Sequence, residues 1–542
     1  MRATNMKKIM TKTNLLMALT MAVALLVSSA AYAAAPGITG PSFTLTAQAA
    51  YITQPDGQAI YSWGYGCSST PTGFAPTMTG QNCPSMQVPG PTLIVTQGDT
   101  VTVSLTNGLP KAAGNTSILF PGFTLQAFTD GTPGLLTQEA APGATVTYKF
   151  TATTPGTRAY YSGTQGDLQV EMGLYGAIIV LPVLSSTTQT ACTSGVHATN
   201  VSAQGIWGET DFRLAHAAYD HPEACYDREY LFQFSEMDPN IHHQAEAQVA
   251  AAVCPGPTCQ LSVPTEPYHP AYFMINGRSM PDNMDPNYAS QYPHQPYNGD
   301  PHMHPGELTL IRVIGQGRWQ HPFHEHGNHV RILARDGNLI LTPDGQALAG
   351  PLLFTTTTTP GLAMDGIFYW TAKGLNWDAY GHKASSNDPN AKLPCTPDAN
   401  GYNTLGTSYQ AINYFEWCQD HEKPLQVAPF GDVGAGGPAT LPDPNILTNG
   451  AWFSGTPYLG PDATTRASFG TCTGSNSTSS CSTTGTTPPS GTIANSPSSE
   501  AGFAFMWHSH NEREITTNNI FPGGMLMMML VDSREFVIDE TN

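Results

Sequence analysis

The chain has 542 residues, too many for one core, so two or three domains are expected. Charged residues make up only 11% and hydrophobic residues 40%, with 53 Gly, 45 Pro and abundant Thr and Ser. That balance argues against a helical protein and for an all-β one. A formal net charge of −19 repels nucleic acid and attracts cations, so nucleic-acid partners are excluded.

Residues 1–33 read as a signal peptide. Arg2, Lys7, Lys8 and Lys12 give a positive start, Leu15 to Val27 is an apolar run, and Ala31-Tyr32-Ala33 is an A-x-A cleavage site. The run is short for a bilayer span and ends in small residues, and no later stretch is long and apolar enough to cross. A periplasmic or extracellular protein beginning at Ala34 is expected. Removing four of the 21 basic residues leaves 17 against 40 acidic, a mature net charge of −23.

Residues 42–183 read as strands joined by turns. Thr92 to Asn107 alternates apolar and polar residues around a Gly-Asp turn, Ala144 to Phe150 alternates again, and Gly173 to Leu181 is a continuous apolar run suited to a buried strand. A polar connector is expected over 184–228. A second β-unit follows over 229–371, with Leu308–Ile314, His329–Leu333 and Gly366–Trp370 as strands. Residues 280–305, dense in Pro, Asn, Asp and His, read as a long loop. Residues 372–501 read as a loop-rich insertion, of low complexity over 463–500. The second unit closes with 502–535, whose strands are Gly502–His508 and Met525–Val531. Ten cysteines in an oxidising compartment allow up to five disulfides. Cys254 lies near Cys259 and Cys472 near Cys481. None forms a C-x-x-C pair, which disfavours zinc or thiol-redox chemistry.

Two segments carry chemistry: His321-Pro-Phe-His-Glu-His-Gly-Asn-His329 and Trp507-His-Ser-His510. Residues two apart on a strand share a face, so His324 and His326 point one way, as do His508 and His510. Two such pairs on adjacent strands can surround one or two metal ions, and imidazole suits Cu, Zn, Ni and Fe. The alternative is a set of hydrogen-bonded core or surface histidines. Weaker candidates are Asp300-Pro-His-Met-His304, a copper-capture loop or, by preference, plain solvated loop. Asn511-Glu-Arg-Glu514 is either a shell orienting the histidines or a surface turn. Met525, Met527, Met528 and Met529 read as sandwich core rather than a copper relay. His216, His221, His242 and His243 have no interpretable spacing.

The first histidine segment resembles the multicopper-oxidase signature H-P-x-H-x-H-G. Trp507-His-Ser-His510 with Gly524-Met525 resembles that family's C-terminal H-C-H…G-M signature, and Pro89 to Val103 its first-domain opening. Asp130-Gly131, Thr137-Gln138, Pro142-Gly143, Gly173 to Ala177, Ile275-Asn-Gly277, Pro305-Gly-Glu307 and Arg312 continue the likeness. The resemblance implies cupredoxin-like Greek-key β-sandwich domains with long loop insertions, and copper as cofactor. It implies His324 as a type 2 ligand, His326, His508 and His510 as type 3 ligands, and His321 as a type 1 ligand. The family's first two motifs align with Leu119-Phe-Pro-Gly122 and Tyr161-Ser-Gly163, where no histidine stands. Ser509 takes the place of the type 1 cysteine and Glu514 that of a type 1 histidine. A type 1 site needs its thiolate, so laccase-type turnover is not expected. The expectation is a mononuclear or dinuclear copper site of His324, His326, His508 and His510, with a polar patch of His321, Ser509 and Glu514 behind it. Such a site serves a divergent oxidoreductase acting on a metal ion or small reductant, a copper-holding protein, or a structural scaffold. The oligomeric state is left open.

Overall fold

The computed structural model describes residues 35–370 and 501–532, apart from 79, 196, 198–210 and 252–260, together with residue 538 and three short strands within 455–483. The expected signal peptide and most of the expected insertion therefore lie outside the described residues.

The protein is all-β, of the cupredoxin-like class, with two β-sandwiches in tandem. In the first, a five-stranded sheet runs in the order Gly156–Tyr161, Tyr175–Leu181, Leu93–Thr96, Gly37–Thr39, Phe74–Ala75. It faces a second sheet in the order Ala59–Cys67, Ser42–Thr53, Thr100–Asn107, Thr145–Thr151, Leu125–Asp130. The alternation over 92–107 is two strands, one in each sheet. The Gly-Asp turn carries the chain across the sandwich, and Gly98 adopts a φ of 94°, where a side chain would be strained. Strict burial of every second residue in Thr100–Asn107 sets Val101, Val103 and Leu105 on the core, beside Trp63 and Tyr148 of the same sheet and opposite Leu93 and Ile178 of the facing one.

The second sandwich has a seven-stranded sheet, Tyr272–Ile275, Arg228–Met237, Leu308–Gly315, Ala363–Tyr369, Val330–Arg335 and Asn338–Leu339, with Leu352–Leu353 also on Val330–Arg335. The facing six-stranded sheet runs His302–Met303, Leu526–Asp532, Ala501–Ser509, His321–Glu325, Thr355–Thr358, with Gly455–Leu459 added to Ala501–Ser509. Phe232, Phe323, Phe368, Trp507, Met525, Met527 and Met529 fill the space between. These three terminal methionines are core, packed for their adaptable shape, whereas Met528 is only partly buried and packs against Ala504 and Leu530 instead.

Two features depart from the sequence expectations. Pro239–Ala251 is a helix, and its buried residues Ile241 and Ala245 join the core of the first sandwich. The Asp300–His304 segment is not solvated loop: His302, Met303 and His304 are buried, and His302–Met303 pairs parallel with Leu526–Asp532. The nitrogens of His302 lie 2.6 Å from Asp532 and 3.2 Å from Asp300, an ion cluster rather than a solvated loop.

The sandwiches meet along an apolar seam that includes Ile52, Val88 and Tyr175 of the first and Met237, Tyr272 and Met274 of the second. A buried polar knot crosses it as well. Asp365 accepts from the Thr157 hydroxyl at 2.6 Å and from Tyr219 at 2.5 Å, and Arg312 reaches Glu229 at 2.9 Å. Cys67–Cys83 and Cys192–Cys225 are disulfides. The side chains of Cys254, Cys259, Cys472 and Cys481 fall outside the described residues. No described helix is long and apolar enough to cross a membrane.

Candidate metal centre

The two histidine segments lie on neighbouring strands of the six-stranded sheet. His321–Glu325 pairs antiparallel with Ala501–Ser509, in a register that sets His324 opposite His508 and Phe323 opposite Ser509. Strand alternation then sorts the side chains onto two faces. His321, Phe323 and Ser509 turn toward the sandwich interior, while His324 and His508 turn to the outer face.

On the outer face His324, His326 and His508 are all buried, and one ligand atom from each lies within 4.8 Å of the others. His326 Nε2 and His508 Nε2 are 3.2 Å apart. Two imidazole nitrogens bound at ~2.0 Å in a tetrahedral array are separated by about 3.3 Å, so the pair already has the spacing of two ligands on one ion. Main-chain geometry fixes the rings. Trp507 Nε1 donates to the His326 carbonyl at 3.0 Å. Gly327 has a φ of 99°, and a Cβ there would sit 2.8 Å from the Phe505 ring, so the turn after His326 requires glycine.

Hydrogen bonds behind the rings select the free nitrogen. His508 Nδ1 donates to the Ser509 carbonyl at 2.7 Å, which leaves its Nε2 lone pair toward His326. His324 Nδ1 lies 2.7 Å from the Thr355 hydroxyl. Burial, reinforced by His508 and His510 nearby, lowers the His324 pKa to about 4, and burial lowers that of His508 as well. Both rings are thus neutral near pH 7, the protonation state that metal ligation requires.

His510 lies at the open side of this group. Its ring is 4.9 Å from that of His324 and 5.4 Å from that of His508, its side chain is half exposed, and its Nδ1 lies 3.2 Å from Glu512. Phe354, itself half exposed, sits edge-on to His324 at 5.8 Å. His321 stands apart on the inner face, with Glu514 and Glu236 at its two nitrogens. The Asn511–Glu514 segment thus divides: Glu514 is buried against His321, and Glu512 is exposed beside His510.

Leu119 and Tyr161, where the resemblance places the first-domain motifs, form an isolated antiparallel bridge. With Gly163 they line a cavity of about 290 Å³ whose far wall is Gln316–Arg318 and Pro360–Gly361 of the second sandwich. Two residues of the centre were not found by sequence reasoning. Thr355 opens a run of five threonines whose alternation hints at a strand. Glu236 lies in a strand buried along its whole length and carries no local signal.

The donor set fits a copper ion: three buried imidazoles with ligand atoms within 4.8 Å of one another, two of them 3.2 Å apart. The multicopper oxidase family matches the chain over residues 77–184. Those residues resemble a multicopper-oxidase segment. Multicopper oxidase MCE of Talaromyces pinophilus is 37% identical over 98 residues, which are 18% of this chain and 15% of that protein. Copper resistance protein A of Escherichia coli is 40% identical over 93 residues, 17% of this chain and 14% of that protein. The chain therefore spans only about a seventh of the length of these relatives. Blue copper oxidase from Nitrosomonas europaea aligns with 90% of this chain and 85% of its own, at 16% identity and a TM-score of 0.42. The segment that matches that family lies in the first sandwich, whereas the histidine group lies wholly in the second.

Proposed function

We propose that this chain is an exported copper protein of multicopper-oxidase type, with a divergent oxidoreductase site of reduced nuclearity. The observation that carries this reading is the buried group of His324, His326 and His508, two of whose nitrogens are already at ligand spacing. In it the metal is held by these three rings, and His510 completes the set from the open side. Copper bound there supplies one-electron chemistry by cycling between Cu(II) and Cu(I). The chain's own part is to keep the His324 and His508 rings neutral, to fix the His508 tautomer through the Ser509 carbonyl, and to leave His510 accessible. His510 is held on its Nδ1 side by Glu512, so its Nε2 is free to meet an incoming ion. The substrate class is a metal ion or a small reductant approaching past Phe354. Export with cleavage after Ala33 is supported by the basic start, the apolar run and the A-x-A motif of the sequence.

A second reading, a copper-holding protein without turnover, is favoured by the enclosure of His321 between two carboxylates, which leaves no inner copper to pass electrons.

Metal content and EPR of the mature protein, set beside a His324→Ala/His508→Ala variant, test both readings. One copper or more per chain, lost in the variant, is expected. Metal that survives the double substitution, or none after copper loading, rules out the site. Oxidation of Cu(I), Fe(II) or a small organic reductant by the loaded protein then separates oxidoreductase from holder.

A further inference from the structure

The inner face of the six-stranded sheet carries a second histidine in surroundings of another kind. His321 is fully buried, with Nε2 3.0 Å from Glu236 Oε2 and Nδ1 2.9 Å from Glu514 Oε2. Both carboxylates are also held by other donors. Glu236 Oε1 accepts from the backbone N–H of Arg318 at 2.7 Å and of Trp319 at 2.8 Å. Glu514 accepts from the Ser509 hydroxyl and, at 2.9 Å, from Asn511 Nδ2. These donors fix each carboxylate against the ring. Facing two anions, the ring donates from both nitrogens, and an imidazole that does so is an imidazolium with no lone pair for a metal.

Glu236, Ser509 and Glu514 are themselves buried. The other titratable groups near the cluster are Tyr268, whose hydroxyl is 3.4 Å from Glu236 Oε1, and Glu171, which accepts from that hydroxyl at 2.7 Å. The Arg318 guanidinium lies over the Tyr268 ring at 4.2 Å. The residues found here therefore do not suit the type 1 copper that the resemblance implies. The thiolate is a hydroxyl, one imidazole is a carboxylate, and the remaining imidazole is consumed by two anions.

We infer that the type 1 position is closed in this chain, and that a hydrogen-bonded cluster of Glu236, His321, Ser509 and Glu514 occupies it in the metal's place. The cluster ties the strand Arg228–Met237, the strand His321–Glu325 and the turn Glu512–Ile515 together, as a metal would. Glu514 is the plug: it stands where a ligand would and takes the ring nitrogen that a ligand would free. Glu236, on the opposite nitrogen, orients the ring. All bound copper is then confined to the outer face.

Copper titration of the full-length mature protein, followed by absorption and EPR, tests this. His321→Asn should leave the copper count unchanged, and Ser509→Cys alone should give no intense thiolate-to-copper band, because Glu514 still holds His321. Ser509→Cys/Glu514→His should gain one further copper together with that band. A copper lost in His321→Asn, an intense band in Ser509→Cys, or a folded double variant that stays colourless each overturns the inference. Should the double variant not fold, ¹⁵N-histidine spectra of the wild type decide. A histidine with both nitrogens protonated at pH 7, distinct from the similarly placed His302, absent in His321→Asn and unmoved by Cu(I), is expected, and a neutral tautomer at His321 overturns the inference. A protein that takes up no copper at all would remove the outer centre and leave this spectroscopic result to stand or fall alone.

Discussion

The two sandwiches hold the same kind of cross-strand pair and fill it differently. In the first, Leu119 bridges Tyr161 and the pair lines an interdomain cavity of about 290 Å³. In the second, His324 pairs with His508, and their rings, with that of His326, converge on a common point. Both sandwiches close over full aromatic cores, with Trp63 in one and Trp507 in the other. The frame thus stands on apolar packing in each case, and what a pair binds is decided by a few side chains set on its outer face.

The sharpest way to break this contrast is to empty the second pair. His324→Ala/His508→Ala should abolish copper binding and leave the circular dichroism of the sandwiches unchanged, because the core lies on the other face. Removing the aromatic frame comes next. Trp507→Ala should cost roughly 3–5 kcal/mol in thermal or denaturant unfolding. Because the indole also donates to the His326 carbonyl, copper affinity should fall with it. Trp63→Ala should cost a similar amount and leave copper binding intact. Equal losses of copper in the two variants would show that the sandwiches are not independent supports.

A third test uses protons. Burial opposes a charge on His321, yet Glu236 and Glu514 outweigh it and raise its pKa to about 9. The folded value exceeds the unfolded value of ~6.5, so this contribution is fully present below pH ~6.5 and is lost as pH rises through about 9. It amounts to roughly 3 kcal/mol at most. Melting temperature should therefore fall between neutral and alkaline pH, and Glu514→Gln should flatten that fall. The smallest expected effect is at the outer ring support: Thr355→Val removes the hydroxyl beside His324 Nδ1 and should weaken copper binding roughly 10–100-fold with little change in stability.

Much of this was legible in the sequence, for identifiable reasons. Period-two alternation gave the strands around Thr100–Asn107 and Thr145–Thr151, because each has one face on the core and one partly in water. The His-x-His spacing put His324 with His326, and His508 with His510, on shared faces for the same reason, and the strand register then sets His324 opposite His508. The helix Pro239–Ala251 was missed because its apolar side is only Ile241, Ala245 and a buried His242, too weak a stripe to register as a helical period. The burial of His302 was hidden by a run of polar and turn-forming residues, whose charges are satisfied by Asp532, far along the chain. Glu236 was invisible for the same physical reason: a buried carboxylate is explained only by its partner, and that partner is 85 residues away.

The antiparallel register between His321–Glu325 and Ala501–Ser509 has one more consequence. His326 and His508 meet across 182 residues of chain, and the strand that delivers His508 is the second to last of the fold. Closing so long a loop is entropically slow and comes late. During synthesis, a chain that has made its first sandwich and even the His321–His329 segment still offers a passing ion only half a grip. Loading of the proposed centre is therefore expected only once the strand Ala501–Ser509 has paired, so truncated or mispaired products should stay empty.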